Sequence, residues 1–136
     1  MPSAAGPAVR VLIADDDRTT AQVLAGLLVG AGYKTTIALD ATQALMMAMR
    51  DVPDAVVLDI GMPGGGGIGV LQRLKASSKT MQIPVVIVTA LTDPDLPARV
   101  RGLGADAFLT KPVAADQLKS ALTRVLDASQ DGGTAS

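Results

Sequence analysis

The sequence has no cysteine, no histidine and no tryptophan, and it carries a single tyrosine and a single phenylalanine. Without cysteine there is no disulfide framework and no thiol chemistry. Without histidine there is no imidazole base, and the ordinary zinc ligands are missing. An excess of charge of one sign is lacking too. Twelve basic residues against 13 acidic ones leave a net charge of −1, which gives no electrostatic footprint for nucleic acid. No apolar run approaches the ~18 residues of a membrane span. The opening MPSAAGPAVR lacks the basic and apolar regions of a signal peptide. The expectation is a cytoplasmic protein that touches neither membrane nor nucleic acid.

What is present is aliphatic. Hydrophobic residues make up 49% and aromatics 1%, so the core must be built from Val, Leu, Ile, Ala and Met. A chain of 136 residues forms one domain with room for a sizeable core. We expect a disordered arm at residues 1–8, a folded domain at 9–127, and a disordered tail or linker at 128–136. No output domain is expected within these residues.

Five short strand-like segments, most of them apolar throughout, alternate with five helical patterns. Val9 to Ala14 reads as a buried strand ending in Asp15-Asp16-Asp17. The helix after it shows Leu24, Leu27, Leu28 and Ala31 on one face, with Gly32 as its stop. Lys34 to Ala38 is a short β-rich segment. Asp40 can cap a helix striped by Ala41, Ala44, Leu45 and Ala48. Ala55 to Leu58 is apolar on both faces and opens at Asp59 onto Met62-Pro63 and four glycines. A helix through Ile68, Leu71 and Leu74 follows, then the strand Val85 to Thr89. The next helix has two competing starts around Pro94 and Pro97, so it should begin late, be short, and end by Gly102 or Gly104. Ala107 to Thr110 forms the fifth strand, stopped at Lys111-Pro112. Leu118, Ala121, Leu122 and Val125 mark the last helix.

Strands that are apolar throughout imply an α/β fold with a parallel sheet covered on both faces. Their C-terminal ends then share one edge, where open α/β sheets hold their ligand chemistry. That edge gathers Asp15 and Asp16 from the first strand, Asp59 from the third, Thr89 from the fourth and Lys111 from the fifth. Each has an ordinary reading when taken alone: a helix cap, a turn former, a β-branched strand residue, a solvated lysine. Their convergence does not. Three carboxylates at close range need a cation, and oxygen-only ligation selects a hard one, Mg²⁺ before Ca²⁺. A lysine and a threonine beside them suit phosphate oxygens, so Asp59 is the candidate nucleophile for an aspartyl phosphate.

The segments V-L-I-A-D-D-D, V-V-L-D-I-G-M-P, V-I-V-T-A and F-L-T-K-P resemble the receiver domain of two-component response regulators, from about Val9 to Val125. The resemblance implies a doubly wound, flavodoxin-like five-stranded sheet of order 2-1-3-4-5, a topology for which a receiver is itself a standard example. It implies that Asp59 accepts a phosphoryl group from a sensor histidine kinase or a phosphotransfer protein. Asp16, Asp59 and the Gly61 carbonyl would ligate Mg²⁺, with Asp15 acting through water. Thr89 and Lys111 would hold the phosphoryl oxygens, and Phe108 would be the switch aromatic. Lys111-Pro112 would be cis. The chain would be a signalling switch rather than an enzyme, working through the face formed by the short fourth helix, the fifth strand and the last helix.

Some positions depart from the family pattern. Gly64 to Gly67 replace a loop that commonly carries polar side chains. Gly61 has none with which to orient water, and Leu91 is apolar where charge is common. These bear on the lifetime of the phosphoryl group rather than on its uptake, while the small Ala90 leaves the site open to a donor. Two rivals come from the same residues. Gly64-x-Gly66-x-x-Gly69 matches a dinucleotide fingerprint, but it follows the wrong strand and a proline. Asp15-x-Asp17-Arg18-Thr19 resembles the start of haloacid-dehalogenase-type phosphatases, with Asp15 as nucleophile, but the late acidic cluster of that family is absent.

Overall fold

In the computed structural model, residues 8–63 and 66–134 are described. Five strands run in parallel: β1 (Arg10–Ala14), β2 (Lys34–Ala38), β3 (Ala55–Leu58), β4 (Val85–Thr89) and β5 (Ala107–Thr110). Their order in the sheet is β2-β1-β3-β4-β5, the doubly wound order the sequence resemblance implies. Five helices cross between and after them: α1 (Arg18–Gly30), α2 (Ala41–Asp51), α3 (Gly66–Ala76), α4 (Leu96–Gly102) and α5 (Ala115–Thr134).

Alternation along each strand divides the core in two. Leu12, Val56, Leu58, Val85 and Ile87 face α2, α3 and α4, meeting Ala44, Ala48, Leu71, Leu74 and Val100. Val11, Ile13, Val57, Val86 and Val88 face α1 and α5, meeting Leu24, Leu28, Leu118 and Leu122. All of these are buried and aliphatic, as the lack of aromatics requires. The central strands β1, β3 and β4 read as continuous apolar runs because both faces are covered, whereas the edge strand β2 is polar and partly exposed.

The helix ends follow local chemistry. Asp17 caps α1, accepting from the Thr19 and Thr20 amides at 3.0 and 3.3 Å. The Thr20 amide bond above all holds the Asp17 carboxyl below its usual range. Asp40 caps α2, accepting from Gln43 N at 2.7 Å, while Gln43 Oε1 accepts from Leu39 N at 3.0 Å. Asp40→Ala is therefore expected to cost about 1 kcal/mol in urea unfolding, with no change in sheet structure. An unchanged midpoint would show that the cap adds nothing. At the other end of α2, Val52 sits in the left-handed region at φ 44, and Arg10 Nη2 donates to the Asp51 and Val52 carbonyls there.

Three details differ from the sequence reading. The core face of α1 is Ala21, Leu24 and Leu28; Leu27 is half-buried and Ala31 is exposed. Ala31 is the residue after the last helical turn, and Gly32 (φ 97) then turns the chain away. In α3 the buried positions are Gly67, Val70, Leu71 and Leu74, while Ile68 only borders the core. The expected tail at 128–136 is helical as far as Thr134. No proline or glycine stands between Asp127 and Asp131, so the backbone has no stop there. The short helix α4 does begin late, at Leu96, and ends at Gly102. The arm expected at 1–8 lies, apart from Ala8, outside the described residues.

Candidate functional site: an acidic cavity at the sheet edge

Backbone hydrogen bonds set the site before any side chain does. Asp59 N donates to Ala14 O at 2.9 Å, holding the end of β3 beside the end of β1. Lys111 N donates to Thr89 O at 2.8 Å, which does the same for β5 and β4. Four strand ends are thereby brought to one edge, where Asp15, Asp59 and Lys111 each stand one residue past their strand and Thr89 is the last residue of β4.

The side chains converge there. Lys111 Nζ donates to Asp15 Oδ2 at 2.7 Å and to Asp59 Oδ2 at 3.2 Å, across 96 and 52 residues of chain. The remaining oxygens are held locally. Asp15 Oδ1 accepts from Asp17 N at 2.9 Å, and Asp59 Oδ1 accepts from Gly61 N at 2.8 Å. Asp15 is 1% exposed and Asp59 9%. Asp16 is exposed, yet its carboxylate joins the other two, with one oxygen from each lying within 4.8 Å of the rest. The acidic run thus divides its work: Asp15 and Asp16 enter the cavity, and Asp17 caps the helix.

Lys111 is the one ammonium bonded to this cluster among the described residues. Burial by itself would lower its pKa, but the hydrogen bond and charge of Asp15, with the charge of Asp59, outweigh that and raise it. The lysine therefore stays charged. One cation faces three carboxylates, and the imbalance of two negative charges is what a divalent ion neutralises. All the donors are oxygens, with no nitrogen or sulfur among them, so the set fits Mg²⁺ by hardness.

Thr89 is fully buried at the end of β4, and its hydroxyl accepts from Leu91 N at 3.2 Å. Leu91 is 48% exposed, and Ala90 is exposed as well. Gly61 leaves space at the cavity mouth. A Cβ there would stand 3.2 Å from Asp59 Oδ1 and 3.6 Å from Thr89 Oγ1. Phe108 lies opposite Ile87 on β5, half-buried against the core cluster that holds α4. The Lys111-Pro112 bond is cis, as the resemblance implies.

One residue of the site escaped the sequence reading. Gly67 is buried, and a Cβ on it would meet the Ile60 Cα at 2.5 Å and the Asp59 carbonyl oxygen at 2.6 Å. The first turn of α3 is seated directly on the Asp59–Ile60 backbone. Four glycines in a row look like a flexible loop, and only the packing singles out one of them. Of that run, Gly64 and Gly65 lie outside the described residues. A second feature unforeseen in the sequence is an open groove of about 410 Å³ beside Lys111, lined by Thr20, Val23, Leu24, Ala90, Pro112 and Val113 among others.

The family model described as "Response regulator receiver domain" matches residues 11–123. The chain belongs to that family. It is 42% identical over 106 residues to the response regulator PleD of Caulobacter vibrioides, an alignment that takes in 76% of this chain and 23% of PleD. It is 37% identical over 120 residues to the response regulator MprA of Mycobacterium leprae, covering 87% of this chain and 51% of MprA. The receiver thus spans from under a quarter to about half the length of these relatives. Among solved structures, the chemotaxis response regulator CheY4 of Vibrio cholerae superposes with a TM-score of 0.80 at 28% identity, covering 88% of this chain and 99% of CheY4. Receiver domains are signalling switches that work with histidine kinases or phosphotransfer proteins. No helix among the described residues of this receiver is long and apolar enough to cross a membrane.

Proposed function

We propose that this receiver takes a phosphoryl group onto Asp59 and relays its presence through the α4-β5-α5 face. The observation that carries the reading is the position of Asp59. Its carboxylate is the one that meets Lys111, Asp15 and Asp16 at once while keeping an opening to solvent.

In the transfer, an Asp59 oxygen attacks the phosphorus of a donor phosphohistidine. The O–P bond forms as the P–N bond breaks, and the leaving imidazole keeps the electron pair and takes a proton from solvent. Asp16 and Asp59, with the Gly61 carbonyl, would hold the Mg²⁺, and Asp15 would reach it through water. The bound ion supplies charge neutralisation of the transferring oxygens. Lys111 is poised to move its ammonium from the carboxylates to the new phosphoryl oxygens. Thr89 would offer its hydroxyl to another of them, drawing the loop after β4 inward and releasing Phe108 to turn with it. The added charge is roughly two negative units. The groove beside Lys111 gives a donor helix an approach to the acceptor.

The phosphatase alternative places the nucleophile at Asp15. Asp15 and Asp59 each accept from Lys111 and from a nearby backbone amide, but Asp15 is only 1% exposed against 9% for Asp59. That geometry favours a residue that orients Lys111 over one that attacks a substrate.

The test is uptake from a small donor. With acetyl phosphate and Mg²⁺ the intact mass should rise by one phosphoryl group, and with EDTA in place of Mg²⁺ it should not. Uptake that ignores the metal would count against the site as drawn. A companion expectation concerns the ion alone. Millimolar Mg²⁺ should raise the melting temperature, since an ion bound only by the folded state stabilises it, by about 2.7 kcal/mol at a hundredfold excess over its Kd. Equal melting curves with and without the ion would contradict it.

A further inference from the structure

A second groove lies between α2 and α3, toward the ends at which both helices reach the N-terminal edge of the sheet. It is open, about 530 Å³, and shares no residue with the acidic cavity. Its apolar lining is Leu45, Met46 and Met49, with Met46 60% exposed. Its charged lining is Arg50, Arg73 and Lys79, without an acidic residue. Arg50 is paired with Asp51 at 2.9 Å, but Arg73 and Lys79 have no carboxylate partner among the described residues.

We infer that this groove docks an amphipathic helix of a partner protein, one whose apolar stripe is flanked by aspartate or glutamate. Exposed methionine is a soft, adaptable contact for side chains of varied shape. A helix laid in a groove meets it through positions three and four apart. Arg73 and Lys79 then supply the complementary charge that selects an acidic partner and repels a basic one.

A second copy of the chain is a poorer occupant. Its helix α1 exposes Val23 and Val29 at 58% each, but α1 contains no acidic residue to meet the two cations. Because the groove is separate from Asp59, docking is expected to be the same whether or not the acceptor is phosphorylated. This inference therefore stands or falls apart from the phosphoacceptor reading.

The probe is a fluorescein-labelled designed peptide of about 18 residues, long enough to hold a helix. It carries leucine at positions three and four apart and glutamate on both flanks. Fluorescence polarisation should show binding that weakens with added salt. A peptide with lysine in place of each glutamate should not bind. The double variant Arg73→Glu, Lys79→Glu should weaken the glutamate peptide about tenfold or more, and Asp59→Asn should leave it unchanged. Equal binding of the two peptides would overturn the inference, as would full affinity in the double variant. Absence of peptide binding together with a dimer that the double variant dissolves would overturn it too, assigning the surface to a second copy.

Discussion

Lys111→Met lowers the stability of the metal-free protein by about 3 kcal/mol, and added Mg²⁺ returns part of that loss. The ammonium is the counter-charge for Asp15 and Asp59, at 2.7 and 3.2 Å. Removing one partner of a buried ionic group leaves the others desolvated and unpaired, which costs more than the pair itself contributes. Asp15 is 1% exposed and cannot turn to water for relief. The lysine side chain is 18% exposed, so some solvent screening holds the loss to the lower part of the range for a fully buried pair. Mg²⁺ supplies the missing positive charge to the same oxygens, so the deficit should shrink as the ion is titrated in. Urea midpoints measured in EDTA and in Mg²⁺ read this directly. A midpoint that stays at the wild-type value in EDTA would mean that the lysine does not balance the cluster.

The second large effect is at Gly67. Gly67→Ala should cost about 2 kcal/mol and slow phosphoryl uptake by about a hundredfold. The new methyl would stand 2.5 Å from the Ile60 Cα and 2.7 Å from the Ile60 carbonyl carbon. Both are backbone atoms, so no side chain can rotate aside. Either α3 lifts from the sheet or the segment after β3 shifts, and Asp59 moves with it. Gly69→Ala is the control on the same helix. Nothing lies within 4 Å of a Cβ there, and alanine gains about 1 kcal/mol over glycine inside a helix. One substitution should therefore destabilise and slow the protein, and the other should stabilise it and leave uptake alone. If both behave alike, helix propensity and not the close approach governs this turn.

Much of this was legible from the residues. Val85 to Thr89 and Ala55 to Leu58 are too apolar for anything but strands covered on both sides, and that forces a parallel sheet with one polar edge. Asp40 announced its helix by type and position. The acidic cluster with Lys111 followed once the strands shared a direction. Less visible were features set by packing at a distance. The buried face of α1 lies on Ala21 rather than Ala31 because the helix ends one residue before Ala31. The helix passes Asp127 because no breaker stands before Gly132, while the polar composition of that stretch suggested a tail. Gly67 is singled out only by the backbone that lies above it, and Arg73 and Lys79 share a groove with Met46 only because α3 and the turn after it lie beside α2.

The most direct measurement compares wild type with Asp59→Asn after incubation with acetyl phosphate and Mg²⁺, read as intact mass. The wild type should gain one phosphoryl group and the variant none, although the variant keeps its fold. A variant that gains the group as fast as the wild type would place the acceptor elsewhere and contradict the account at its centre.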